Sequence, residues 1–277
     1  MPPHSIFDGT PLLIAHRGGS VLAPENTLTA FRSAAVIWGA DMIELDVRAT
    51  ADGRCVVIHD DTVDRTTDGT GAVATMTLEE VQSLDAGYRF TRDSGATYPF
   101  RSRGVRIPTI EQVLEALPNM RFTVEVKDGA AQAPLFAAIE RHGAQSRVVA
   151  AAMYERDRSR FASYSGPVSA SFEALKRFYR WHKLGLGRFF GMRVAAVHVP
   201  EEYEGRRLVT PRFVRDLQAH GIPVIVWTVN DAMVMRRLLG AGVSGIVTDR
   251  LDVLGQLLHE LYGRPLAPGN TSAAPSV

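Results

Sequence analysis

The chain has 277 residues, of which 45% are hydrophobic and 22% charged, with a formal net charge of +1. That length suits one α/β barrel, and the charge balance lacks the basic excess of a nucleic-acid-binding domain. A single cysteine, Cys55, excludes an intramolecular disulfide and fits a reducing compartment.

In chain order, the opening MPPHSIFDGT has no charged leader before an apolar core, so cytoplasmic residence is expected. No apolar run reaches the roughly 18 residues of a membrane-spanning helix. LLIAH (12–16) reads as the first strand and precedes a helical pattern over 26–38. MIELDV (42–47) is the second strand, and RFTVEV (121–126) leads into a helix over 133–141. RVVAAA (147–152) and PVSAS (167–171) follow. VAAVHV (194–199) leads into 210–220, PVIVWTV (223–229) into 232–239, and GIVTD (245–249) into 253–261. Continuous apolar strands alternating with helices specify a parallel sheet covered on both faces. Eight such units predict an α/β fold, a TIM-type (β/α)8 barrel, within a single domain spanning 1–266. The Pro/Ser/Ala-rich stretch 267–277 predicts a disordered tail.

CVVIHD (55–60) breaks the alternation. The link from MIELDV is shorter than the roughly dozen residues that a parallel crossover needs, and it contains Asp52-Gly53, a hairpin signal. Residues 42–60 therefore predict a long hairpin after strand two. Centred on Asp52-Gly53, it sets His59 opposite Asp46 and Asp61 opposite Glu44, all on one face. Residues 60–105 then predict a small, mostly irregular, lid-like inserted subdomain with a short helix signal at Thr77-Leu78-Glu79-Glu80.

The carboxyl ends of the strands carry the informative residues, because a barrel places its active site there and buried charge is costly unless paired or metal-bound. They are His16-Arg17, Glu44 and Asp46, His59-Asp60, Glu125 and Lys127, Trp227 and Asn230, and Asp249. Glu44, Asp46 and Glu125 would repel one another if they converged, and a hard divalent cation relieves that. The absence of thiolates argues against structural zinc. Two histidines suit one proton acceptor and one proton donor. Arg17 offers a bidentate fork for phosphate, and Lys127 adds a second cation. The set describes a site for a phosphate ester. No Gly-x-Ser-x-Gly, Walker loop or Gly-x-Gly-x-x-Gly is present.

HRGGSVLAPENT, ELDVRATADGRCVVIHDDTVDRTTDGTG, EVK, VWTVN and TD together resemble the glycerophosphodiester phosphodiesterase family. The resemblance covers nearly the whole chain, from 10 to 260. It implies the phosphodiesterase variety of the TIM barrel with a subdomain inserted after the HD motif. It implies one divalent metal, Mg2+ first and Ca2+ second, on Glu44, Asp46 and Glu125. It implies His16 and His59 as the acid–base pair, and Arg17 and Lys127 as phosphate-binding. Trp227 would be an apolar ledge for the glycerol, and Glu25 and Asn26 would support the site, Asn26 also capping the first helix. Gly18 and Gly19 would let the backbone turn beside the substrate. The implied reaction yields sn-glycerol 3-phosphate and an alcohol. The nucleophile is water or the substrate's own glycerol 2-hydroxyl, through a cyclic phosphate. The alternatives are a lysophospholipase D-like or phosphatidylglycerol-cleaving enzyme at a membrane surface, with lysophospholipid as the substrate, and a non-catalytic phospho-ligand-binding barrel.

Segment 172–193 is aromatic and basic. It reads as a barrel helix with a solvated basic face, or as a contact with anionic lipid near the active-site end, peripheral to the inner face of the membrane. His198 is expected to pack rather than face the site, and Cys55 to be core. The arginines of FRSRGVR (100–106) read equally as lid residues over the phosphate or as surface.

Overall fold

The computed structural model describes residues 5–9 and 11–271. The apolar runs form β1 (Leu12–His16), β2 (Met42–Ala49), β3 (Cys55–Val57), β4 (Arg121–Val126), β5 (Val148–Ala151), β6 (Val197–Pro200), β7 (Glu202–Tyr203), β8 (Arg206–Arg207), β9 (Val224–Trp227) and β10 (Gly245–Thr248). The parallel neighbours run β5-β4-β2-β1-β10-β9-β6. Segment 167–170 fills the remaining gap. Ala150 bridges Val168 and Ser169 bridges Ala196, both parallel. Ala195 N donates to Val168 O at 2.8 Å and Ala170 N to Ala196 O at 2.9 Å. The eight predicted staves thus curl into a ring, which leaves no barrel edge unpaired.

Strand alternation sorts the core. Leu12, Ile14, Met42, Val149, Ala196, Ile225 and Val247 form the barrel interior, plugged from below by Ile6 and Phe7. The opposite faces, including Leu13, Ile43, Leu45, Val124, Val226 and Ile246, pack against Phe31, Leu135, Phe178, Phe213, Leu238 and Leu254 of the surrounding helices. Those helices are α1 (Leu28–Arg32), α2 (Leu78–Ser83, in the insertion), α3 (Ile110–Ala116), α4 (Gln132–Arg141), α5 (Phe172–Lys183), α6 (Pro211–Gln218), α7 (Ala232–Gly240), α8 (Leu251–Tyr262) and α9 (Pro268–Thr271). Short polar side chains start several of them. Thr77 and Thr109 close capping boxes with Glu80 and Gln112, and Thr210 caps α6 ahead of Pro211.

The first helix departs from expectation. Only Leu28–Arg32 is α-helical, and the chain widens into a π-helical turn over Ser33–Ile37. The cap is Thr27, whose hydroxyl accepts from Ala30 N at 3.2 Å. Asn26 is not free to cap, because its amide is committed to Asp46.

The hairpin between β2 and β3 is antiparallel, but its register is one residue away from that expected. Val47 faces Val57 and Ala49 faces Cys55. Thr50 N donates to Arg54 O at 2.9 Å, so the loop holds three residues, with Gly53 at φ +73. A three-residue loop with a left-handed glycine satisfies the same Asp-Gly signal as a two-residue turn. Ile58, not His59, therefore donates to the Asp46 carbonyl (3.0 Å), and Asp61 faces solvent. Residues 60–105 gather Val63, Val73, Val81, Ala86 and Val105 into a small cluster continuous with Val56 and Ile58 of the hairpin.

Of the expected 267–277 tail, Pro268–Thr271 form a helical turn, tied down by Asn270 Nδ2 donating to Asp252 O at 2.7 Å. The rest of that expectation, 272–277, lies outside the described residues. No helix of the described residues is long and apolar enough to cross a membrane.

Candidate active site

The alternation that builds the apolar floor also builds a polar rim. Two residues beyond Ile14 comes His16; beyond Met42 come Glu44 and Asp46; beyond Ile225 comes Trp227. Parallel register aligns them in rows, His16 beside Glu44 beside Thr123, and Asp46 beside Glu125 beside Ala151. They surround a cavity of about 210 Å³ at the carboxyl ends of the strands. Its lining includes His16, Arg17, Glu44, Asp46, His59, Glu125, Lys127 and Trp227, with Thr123, Met153, His198 and Thr228. Glu25 and Asn26 stand behind this wall, each bonded to a lining residue. The structure thus brings together the ten residues to which the resemblance assigns a role. His59 arrives despite the altered register, because β3 ends at Val57 and the chain leaves the ladder there.

Asp46 is almost fully buried, and both of its oxygens are engaged. Oδ1 meets Lys127 Nζ at 3.0 Å; Oδ2 lies 3.3 Å from Arg17 Nε and accepts from Asn26 Nδ2 at 3.1 Å. Burial, the largest single influence, would raise its pKa, but Lys127, Arg17, His59 and the Asn26 hydrogen bond together hold it low. Lys127 also meets Glu125 Oε2 at 3.0 Å. Glu44 is treated differently. Its carboxylate accepts from the Arg17 backbone N–H at 3.2 Å, and no Lys or Arg side chain among the described residues forms an ion pair with it. Burial first, and the charge of Asp46 next, push it up to about 8.

One oxygen each from Glu44, Asp46 and Glu125 lies within 4.8 Å of the others. The set is all carboxylate, and among the described residues Glu44 forms no ion pair with a Lys or Arg. That donor chemistry fits a hard divalent cation.

Both histidines carry the same clamp. His16 Nδ1 is 2.7 Å from Asp249 Oδ1, and Asp249 also accepts from Ser20 Oγ (2.6 Å) and Asn230 Nδ2 (2.8 Å). His59 Nδ1 is 2.6 Å from Asp60 Oδ1. A carboxylate at Nδ1 keeps the proton there and leaves Nε2 for chemistry. Burial lowers the His16 pKa, but the Asp249 hydrogen bond and the charges of Glu44 and Asp249 raise it further, so the net shift is upward. Burial would raise Asp249; its bonds to His16, Ser20 and Asn230 bring it down to about 2. Asp60 is also held at about 2, first by Arg65.

Several features lay beyond the sequence reading. The sequence places Asp249 and Asp60 at strand ends but carries no signal for their pairing with the histidines, nor for the bonds of Arg65 to Asp60 and of Ser20 to Asp249. His198 was expected to pack, but it lines the cavity, because it lies two residues beyond inward-facing Ala196. Its Nε2 is 3.4 Å from Thr123 Oγ1, its buried Nδ1 has no hydrogen-bond partner among the described residues, and burial pulls its pKa down to about 4. The close approach at the double glycine is to helices rather than to the cavity. A Cβ at Gly18 would sit 2.7 Å from Ala30 Cβ, and one at Gly19 would sit 3.0 Å from Leu251 Cδ1. Arg101 stacks between Tyr88 and Tyr98, and Arg106 donates to Ser83 O, so these arginines brace the insertion. Cys55 is buried, and burial pushes its thiol well up.

Segment 172–193 contains the expected barrel helix, which buries Ala174, Leu175, Phe178 and His182 and leaves Lys176, Arg177, Arg180 and Lys183 exposed, but its exposed apolar residues are not near the active-site end. α5 starts at the cavity end, where Phe172 N donates to Met153 O at 2.7 Å, and it descends from there. Its most exposed apolar residues, Leu184 (73%) and Phe189 (69%), follow its carboxyl end. There Gly187 O contacts His220 below α6. They project at the pole opposite the cavity.

A parallel barrel with converging carboxylates, two cations and two carboxylate-held imidazoles at its catalytic end has the makings of a phosphoryl-ester enzyme. Residues 16–253 match the model of the Glycerophosphoryl diester phosphodiesterase family. The chain belongs to that family, a family of phosphoric diester hydrolases. It is 37% identical over 262 residues to the glycerophosphodiester phosphodiesterase of Caldanaerobacter subterraneus subsp. tengcongensis, covering 90% of this chain and 98% of that protein. The crystal structure of the glycerophosphodiester phosphodiesterase from Agrobacterium tumefaciens str. C58 aligns with a TM-score of 0.70 at 27% identity, over 88% of this chain and 99% of that one. The glycerophosphoryl diester phosphodiesterase domain of a Mycobacterium tuberculosis protein shares the fold, with a TM-score of 0.80 at 22% identity, over 91% and 99% of the two chains.

Proposed function

We propose that this protein hydrolyses glycerophosphodiesters to sn-glycerol 3-phosphate and an alcohol. The observation that carries this reading is the convergence on one cavity of two imidazoles, each with Nδ1 held by a carboxylate, beside Arg17 and three carboxylates. Arg17 and Lys127 attract the nonbridging phosphate oxygens. One histidine accepts the proton of the nucleophile through Nε2, and the other donates a proton to the departing alcohol. Attack by water completes the hydrolysis with these two proton transfers; attack by the glycerol 2-hydroxyl uses the same two to expel the alcohol and leaves a cyclic phosphate, which water then opens with the two histidine roles reversed. Glu44, Asp46 and Glu125 would hold a divalent cation, Mg2+ first and Ca2+ second, which when bound would supply Lewis-acid neutralisation of charge on the phosphate. Trp227 offers an apolar face to the glycerol carbons. Glu25 and Asn26 orient Arg17 and Asp46. We read 1–266 as one domain and 60–105 as its lid-like insertion.

A membrane-surface variant of this reading is less well supported. The basic helix α5 and the apolar residues after it retain the chemistry to touch anionic lipid, but Leu184 and Phe189 sit at the pole away from the cavity. Contact there would turn the cavity towards solvent and favour a soluble glycerophosphodiester over a lysophospholipid. Sedimentation with anionic vesicles at low salt tests the contact, and its absence removes it. A cytoplasmic location remains our proposal, in keeping with a single, buried cysteine.

The deciding experiment is turnover of glycerophosphocholine with Mg2+ or Ca2+, with products identified by mass. Release of glycerol phosphate, abolished by chelator and restored by metal, supports the reading. Tight binding of the diester without turnover would instead support a non-catalytic barrel.

A further inference from the structure

Arg65 lies in DDTVDRTTDG, just inside the insertion, and its side chain is about half exposed. Its guanidinium grips two carboxylates at once. Nε and Nη2 donate to Asp60 at 2.6 and 3.2 Å, and Nη1 and Nη2 donate to Glu25 at 2.7 and 2.8 Å. Each of these carboxylates also touches a cavity residue. Asp60 Oδ1 holds His59 Nδ1 at 2.6 Å, and Glu25 Oε1 accepts from Arg17 Nη1 at 2.9 Å. Glu25 belongs to the loop after β1, whereas Asp60 follows the hairpin. The two arms meet through one side chain.

We propose that Arg65 is a positioning residue that sets His59 and Arg17 relative to each other through Asp60 and Glu25. The inference rests on the proposed reaction for its consequence but on the four hydrogen bonds for its geometry. Arginine suits the task because its planar fork places donors on two edges. A lysine keeps the charge as a compact ammonium and cannot span both carboxylates in this way. Shared restraint matters because a proton donor and a phosphate ligand must act on one substrate in a single geometry. The insertion thereby contributes to the site without lining the cavity.

The position of Arg65 provides its own test, since a half-exposed guanidinium leaves a gap open to solvent when it is removed. Replacement Arg65→Ala should lower kcat on glycerophosphocholine roughly 10- to 100-fold, the usual range for losing an outer support of a reacting group. Its melting temperature should stay close to that of the parent. Millimolar guanidinium should restore part of kcat, and ammonium at equal ionic strength should not. Arg65→Lys should remain impaired. The double variant Asp60→Asn/Arg65→Ala should lose less than the product of the single losses. A second readout does not need turnover: the His59 Nδ1–H proton resonance, visible in the parent, should broaden in Arg65→Ala and sharpen with guanidinium. That signal separates a failure of the reaction assignment from a failure of the Arg65 assignment. A kcat within twofold of the parent, or an unchanged His59 resonance, overturns the proposal. So does a loss that follows unfolding and is not rescued.

Discussion

His16 and His59 present the same atom from two different parts of the molecule. His16 stands on β1 and is clamped by Asp249 beyond β10, 233 residues away in sequence. Their side chains are 18% and 12% exposed, and Asp249 is further tied to Ser20 and Asn230. His59 stands on the arm beyond β3 and is clamped by its own neighbour, at 33% and 25% exposure, with Arg65 behind it. The first clamp is a product of ring closure and is the more deeply buried; the second is local and the more exposed. A buried charge-assisted hydrogen bond is worth more than an exposed one and costs more to break, because the partner left behind is unsolvated. The barrel pair should therefore be the stiff half of the site, and the arm pair the adjustable half.

The largest effect tests whether both halves do chemistry at all. His16→Ala and His59→Ala should each reduce kcat by about 10²- to 10⁴-fold, the usual contribution of a positioned acid or base. Glycerophosphocholine turnover, with circular dichroism to establish folding, checks both. If His59→Ala kept its fold and more than a tenth of parental kcat, the arm histidine would lose its proton role and the comparison would collapse to one histidine. Next in size come the clamps. Asp249→Asn should cost kcat about 100-fold and Asp60→Asn about 10-fold, the two ends of the range for outer supports of a reacting group. Equal losses would show that burial does not separate the two halves.

This asymmetry marks the limit of what could be read from the chain alone. The eight staves were legible because each buries both faces and so is a continuous apolar run. His16, Glu44, Asp46 and Glu125 were legible because a charge in such a run demands a partner. The partners were not. Asp249 pairs with His16 only because β10 lies beside β1 in the closed ring. Arg65 is one arginine in a polar loop until the insertion folds back onto Glu25. The hairpin register escaped because Asp-Gly serves two loop lengths that differ by one residue. The amphipathic face of α5 was visible, but the pole of Leu184 and Phe189 depended on the direction in which the helix descends from the rim.

The smallest effect is a pH dependence of stability, and its sign follows from the two clamping acids. Both are held near 2, below the roughly 3.9 of an unfolded aspartate. A carboxyl group whose folded pKa is depressed binds its proton less readily in the native state. Its stabilisation is therefore complete above about pH 4 and is lost as the pH falls through the folded value near 2. Asp249 is well buried and is held at about 2 against the roughly 3.9 of the unfolded chain, so its contribution is on the order of 2 kcal/mol. At roughly 2–4 °C per kcal/mol for a chain of this size, Asp249→Asn should melt several degrees below the parent at pH 7. Asp60 is solvated and its ion pairs are screened, so Asp60→Asn should shift melting by about a degree or less. Both deficits should shrink as the pH is taken from 5 towards 2. Melting curves of the metal-free parent and the two variants across that range provide the measurement. A deficit for Asp249→Asn that persisted undiminished at pH 2 would mean that packing, not charge, holds the barrel clamp, and stiffness there would have to be explained without the His16–Asp249 pair.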